Sequence, residues 1–214
     1  MNKNRIPKFR NRVIIICEGQ EDEGYIKHLI SLKVWNNDVY DFKTENAKGA
    51  GNIVSRYESV VSNESESSVV LIFCDTDKPP HEGFMGIRNK LREIYGGDSA
   101  FNRVVIYANP CTMRIVLAHL MTKSKLKTQR KSQNARIIES LTNVKDYKAS
   151  KKQISEICKK ITAENYYIMK ENIKTEEEKK YDISGSTNFF AFLERFEGND
   201  TSWIEKINKG LKYS

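Results

Sequence analysis

Two stretches decide the fold: Val13-Ile-Ile-Ile-Cys17-Glu18-Gly19 and, some fifty residues later, Val69-Val-Leu-Ile-Phe-Cys74-Asp75-Thr76-Asp77. Each is a continuous apolar, largely β-branched run, the pattern of a strand covered on both faces. Each also ends abruptly at carboxylates. Working outward, Tyr25, Ile26, Leu29, Ile30 and Leu32 form a helical stripe, predicting a helix over 21–33. A weak alternation over 39–44 predicts a strand, and a helix over 51–61 is ended by the polar stretch SNESESS. Beyond the second run, a helix over 83–95 and a strand over 103–107 complete a βαβαβαβ order. This order argues for an α/β fold with a Rossmann-like parallel sheet, helices on its faces and right-handed crossovers. After Asn109-Pro110 the pattern turns helical, over 111–121, 126–141, 151–173 and 188–211. The expected organisation is an α/β domain over 1–122 and a mainly helical, basic extension over 123–214 packed on it.

Composition excludes several classes. The chain has 214 residues, 39% hydrophobic and 30% charged, with only 11 Gly and 4 Pro, so it is neither collagen-like nor low-complexity. Nine Phe, ten Tyr and two Trp are too many for a wholly disordered chain. No apolar run approaches the roughly 20 residues of a spanning helix, so no membrane association is expected. The apolar run 13–17 is too short for a signal peptide. Cys17, Cys74, Cys111 and Cys158 are scattered without a CxxC pair, which argues against a zinc site and for a reducing, cytoplasmic setting.

In open parallel sheets, ligands bind beyond the carboxyl ends of the strands, where strand order reverses. If the first and third strands are neighbours, Glu18, Asp75 and Asp77 converge on one crevice. Clustered carboxylates repel one another unless a cation neutralises them. Hard oxygen ligands suit Mg²⁺ (or Mn²⁺), which keeps waters and meets substrate phosphates. Asp75-x-Asp77 places alternate residues on one side of the departing strand, and Gly19 leaves room for a sharp turn. The alternative is plain: Asp after a strand also serves as a turn or cap residue. Likewise, Glu21 and Glu23 suit the positive end of a helix dipole.

The joint pattern, strand–Glu-Gly–helix followed by strand–Asp-x-Asp, resembles the TOPRIM fold of topoisomerases, primases and several nucleases. That resemblance implies acid/base work or metal binding for Glu18 and metal ligation for Asp75 and Asp77. More narrowly, Cys17-Glu-Gly-Gln-Glu-Asp-Glu23 is similar to the CEGxxTE signature of RloB-like proteins, with Asp22 in place of Thr, which implies Glu23 as a further metal ligand. Asn109-Pro-Cys111 and Leu117-Ala-His119 resemble that family's NPCFExWLLLH segment; Tyr147-Lys148 and Ser186-Thr187-Asn188 resemble its YxK and STN elements. Thr112-Met113 stands where the family has Phe-Glu, so one acidic residue is missing. The resemblance implies a Mg²⁺-dependent nuclease in bacterial phage defence, acting beside a separate ATPase, since the chain has no Walker motif of its own.

The formal charge of +8 is unevenly spread. Residues 1–120 carry 16 basic and 15 acidic residues, 121–160 carry 12 and 3, and 161–214 carry 8 and 10. The segment KSKLKTQRK, with Lys125, Lys127, Arg130 and Lys131, reads as an electrostatic footprint for a DNA or RNA backbone, or alternatively as a solvated linker. Lys78, Arg114 and His119 join it as candidate phosphate contacts, although a histidine on an apolar helix also fits a structural role. His28 and His81 carry no supporting pattern. Ser55, Ser184 and Ser186 lack a G-x-S-x-G context, against a serine hydrolase. The leading expectation is therefore nicking or cleavage of nucleic acid by Glu18, Asp75 and Asp77. The alternative is a non-catalytic nucleic-acid-binding or regulatory subunit. A haloacid-dehalogenase-like site is disfavoured by Pro79 after the Asp-x-Asp and by the lack of a later acidic motif, and only fragments of a receiver-domain pattern occur.

Overall fold

The computed structural model describes residues 10–65, 67–122, 125–126, 130–174, 181–183 and 185–212. It is an α/β fold on a four-stranded, all-parallel sheet. The strands are β1 (Asn11–Cys17), β2 (Tyr40–Asn46), β3 (Ser68–Asp75) and β4 (Val105–Ala108), in the order β2-β1-β3-β4. The two apolar runs form the central strands, with Val13 level with Val69 and Cys17 level with Phe73. Every residue of β3 is buried, which is why its sequence shows no alternation.

Between the strands lie α1 (Gln20–Ser31), α2 (Ala50–Val61), α3 (Glu82–Tyr95) and α4 (Asp98–Val104). Helix α4 is an addition to the expected order: Gly96 ends α3 in the left-handed conformation and Gly97 precedes α4, so the strand expected at 103 begins at Val105. The remaining helices are α5 (Thr112–Leu120), α6 (Lys131–Thr142), α7 (Lys151–Cys158), α8 (Ala163–Lys174), α9 (Phe189–Glu197) and α10 (Ser202–Lys212). Two long helices expected from the pattern are thus each divided. Thr162 and Asn165 exchange side-chain–backbone bonds that cap α8, and Asp200 accepts from the Ser202 amide before α10. Among the described residues, no helix is long and apolar enough to cross a membrane.

The late helices return to the sheet unit: α7 packs on α1, α8 on α5, α9 on β4 and α10 on α4. Helix α5 is consequently enclosed, with Thr112 to His119 all buried. The Ser186-Thr187-Asn188 element seals the outer edge of β4. Asn188 Nδ2 donates to the Val105 carbonyl and its Oδ1 accepts from the Tyr107 amide, at 2.8 and 2.9 Å. Thr187 Oγ1 donates to the Tyr107 carbonyl at 2.6 Å. An amide side chain thereby completes an edge that would otherwise leave backbone groups unpaired. Asn188→Ala is expected to cost about 1–3 kcal/mol, because two backbone groups lose their partners; urea denaturation of the variant beside the parent measures it.

Candidate metal centre

Because β1 and β3 are parallel neighbours, their carboxyl ends open on one crevice. Glu18 leaves β1 with its amide still bonded to the Phe73 carbonyl, and its Oε2 accepts from the Asp75 amide at 3.2 Å. Asp75, the last residue of β3, is 8% exposed. Its Oδ1 accepts from the Thr112 amide at 2.9 Å, and its Oδ2 lies 2.8 Å from Lys131 Nζ. Thr112 is the first residue of α5, so its amide has no partner within the helix and is aimed at an anion.

Helix α1 brings a second group of carboxylates. Asp22 is 4% exposed; its Oδ2 accepts from the Gly19 amide at 2.9 Å and its Oδ1 from Thr112 Oγ1 at 2.5 Å. These bonds cap the helix and fix the carboxylate without exhausting it, since each oxygen accepts at two positions. Glu21 Oε2 accepts from Tyr147 Oη at 2.6 Å. Glu21, Asp22 and Asp75 each offer an oxygen within 4.8 Å of the others.

Burial and crowding disfavour the ionised forms. Burial first, then the charge of Asp75, raises both Glu18 and Glu21 to about 7. Asp22 is pushed up by burial, then by Asp75 and Glu21. Burial also raises Asp75, with Lys131 opposing it. Burial works against the Lys131 ammonium, but Asp75 and Asp77 outweigh it and hold its pKa above the ordinary value. Carboxyl oxygens this close, with the single ammonium of Lys131 beside them, fit a small divalent cation.

Glu18, Asp75 and Asp77 therefore meet at one place, Asp77 through Lys131 Nζ, which lies 2.5 Å from its Oδ1. Glu23 does not join them: it sits five residues beyond Glu18 and pairs with Lys27 at 2.6 Å and Asn46 at 3.1 Å. Arg114 is 4% exposed and donates to the Leu126 carbonyl at 3.1 Å. His119 is 2% exposed and bonded to Tyr25 Oη at 2.9 Å, and burial lowers it to about 3, so it is neutral. Enclosure of α5 by α6 and α8 thus takes both residues away from any phosphate and corrects the expectation for them. Lys78, Lys125 and Arg130 are exposed, and Lys127 lies outside the described residues.

Glu21, Asp22 and Thr112 are site residues that motif and spacing did not reveal. Asp22 was detectable: it lies on the same helical stripe as Tyr25, Ile26 and Leu29. A carboxylate on the core-facing stripe of a helix is anomalous unless it has work to do.

Two cavities flank the cluster. One, of about 490 Å³, is walled by Glu18, Glu21, Asp22 and Asp75 with Tyr147 and Lys148 opposite. The other, of about 1160 Å³, lies between the β3–α3 turn and the start of α6. Lys131 and Ser132 line both.

No protein-family model and no curated protein sequence matches the chain. Among solved structures, the C-terminal region of the Burkholderia pseudomallei OLD protein is similar at a TM-score of 0.46 and 10% identity, over 77% of this chain and 100% of that one.

The raised carboxyls make stability depend on pH. Without metal, Glu18 and Glu21 keep their protons up to about pH 7 when folded, against 4.5 ordinarily. The folded state binds more protons between these values, so the stability contributed is full below 4.5 and lost as pH rises through 7. The melting temperature in EDTA is expected to fall by on the order of 5 °C across that window. In the Glu18→Gln/Glu21→Gln double variant the slope should flatten, and differential scanning calorimetry reads both.

Proposed function

We propose that this chain is a Mg²⁺-dependent (or Mn²⁺-dependent) TOPRIM-type nuclease that nicks or cleaves DNA or RNA. The observation that carries the reading is the convergence of crowded, largely buried carboxylates where β1 and β3 end side by side. The motif resemblance to RloB-like proteins supports it, and with it a role in phage defence beside a separate ATPase.

One departure from that resemblance is offset within the site. The family's Glu is replaced by Met113, but the family's Thr is replaced by Asp22, and both residues line the acidic cavity. The carboxylate missing from the start of α5 is matched by one gained on α1, bridged to Asp75 by Thr112.

Glu21, Asp22 and Asp75 would hold the cation. Once bound, it would offset charge on the reacting phosphate and acidify a water. Glu18 lies outside that closest set, held against the Asp75 amide, and is the group for taking up a proton. The Lys131 ammonium, fixed by Asp75 and Asp77, can pair with a phosphate oxygen. Residues 123–214 would supply the basic surface that holds the strand, including Lys125 and Arg130.

A second reading has its own support: Lys131 already neutralises Asp75 and Asp77, as in a binding-only or regulatory subunit. Incubating plasmid DNA and labelled RNA with Mg²⁺ or Mn²⁺ separates the two. Nuclease action predicts cleavage that falls by on the order of 10²–10³-fold in Glu18→Gln, Asp22→Asn and Asp75→Asn, while Glu23→Gln stays within a few-fold of the parent. Binding without cleavage under either metal selects the subunit reading.

A further inference from the structure

The larger cavity lies across Lys131 from the proposed cation site, and its wall holds a histidine with an open ring nitrogen. His81 is 6% exposed and lines the cavity wall. Its Nδ1 lies 2.8 Å from the Thr76 carbonyl oxygen. A carbonyl only accepts, so Nδ1 donates that bond and Nε2 is the ring nitrogen left for a ligand. Among the described residues Nε2 has no partner. The residue is held there at φ +62°, a conformation that costs a non-glycine residue energy.

The chemistry of the walls narrows the ligand. Lys78 and Arg130 are offset by Glu82 and Asp182, so this is not a site for a bare anion. Pro79, Pro80 and Pro110 add apolar surface. The volume, about 1160 Å³, exceeds the roughly 300–1,000 Å³ that takes a drug-sized ligand. Mixed donors and acceptors around apolar faces suit a heterocyclic base with its sugar. Position narrows it further, because Lys131 is the shared wall between this cavity and the acidic one. A group held at the carboxylates sits on one side of that ammonium, and whatever is joined to it can extend to the other.

We propose that the larger cavity seats the nucleoside attached to the phosphate held at the acidic cluster, with His81 Nε2 as its polar contact. This rests on the nuclease reading for the phosphate; the seat itself is tested without turnover.

The test uses the whole chain in EDTA, following the imidazole nitrogens of His81 by NMR. Adenosine 5′-monophosphate, a 5′-phosphorylated dinucleotide, adenosine and inorganic phosphate are added separately. The expected result is a shift of the His81 Nε2 signal by the nucleotides and the nucleoside, with inorganic phosphate silent. His81→Asn is the matching variant: Asn tolerates positive φ, its Nδ2 can replace the bond to Thr76, and it cannot reproduce Nε2. Dinucleotide affinity should fall about three- to tenfold in it, with Mn²⁺ affinity unchanged. His81→Gln, which can reach the Nε2 position, should recover part of the loss.

A shift caused equally by inorganic phosphate, no response to any probe, or parental dinucleotide affinity in a folded His81→Asn would each overturn the seat. Loss of the nuclease reading looks different: no Mn²⁺ binds the acidic cluster, yet the His81 response to nucleoside persists.

Discussion

Mutual repulsion among carboxylates at the ends of β1 and β3 is the constraint on which the site depends. Four acidic side chains, Glu18, Glu21, Asp22 and Asp75, are brought together by strand pairing and by the first turns of α1. Such a group persists only where positive charge or hydrogen-bond donors are aimed at it. The Thr112 amide and hydroxyl, the Gly19 amide, Tyr147 and Lys131 are those donors. Each comes from a different part of the chain. The C-terminal helices are therefore not an appendage to the sheet as far as this site is concerned: α6 supplies Lys131 and the loop before α7 supplies Tyr147.

The same organisation accounts for two residues that chemistry alone would misplace. Arg114 and His119 have the side chains expected of phosphate contacts, but α5 is the helix around which α6 and α8 pack. A helix buried on all sides turns its polar residues inward, where they bond to carbonyls and hydroxyls. Lys131 shows the converse. From the charge run alone it belongs with Lys125 and Lys127 on a general basic surface, but Asp75 and Asp77 hold its ammonium at the carboxylates.

Much of the fold was legible because its central strands are uninterrupted apolar runs that end on carboxylates, as strands buried on both faces of a parallel sheet do when they open on a polar crevice. The neighbouring of β1 and β3, on which convergence of Glu18, Asp75 and Asp77 depended, was only a condition at that level. Helix α4 and the divisions between α7 and α8 and between α9 and α10 were hidden, because they arise from capping bonds at Thr162 and Asp200 and from the Gly96-Gly97 turn rather than from a change in periodicity. Glu23 was favoured over Asp22 by motif position, although helical periodicity puts residue 22 on the buried stripe with Tyr25, Ile26 and Leu29. His81 was passed over because its ring is oriented by a carbonyl five residues back, which no spacing reveals.

Everything proposed for this crevice requires that Glu21, Asp22 and Asp75, supported by Thr112, bind a divalent cation. The most direct measurement is anomalous diffraction from crystals soaked in Mn²⁺. One strong peak is expected within bonding distance of the Asp22 and Asp75 carboxylates, lost in Asp22→Asn crystals. A Mn²⁺-soaked crystal with no peak at those carboxylates, or with its only ordered peak elsewhere on the molecule, would contradict it.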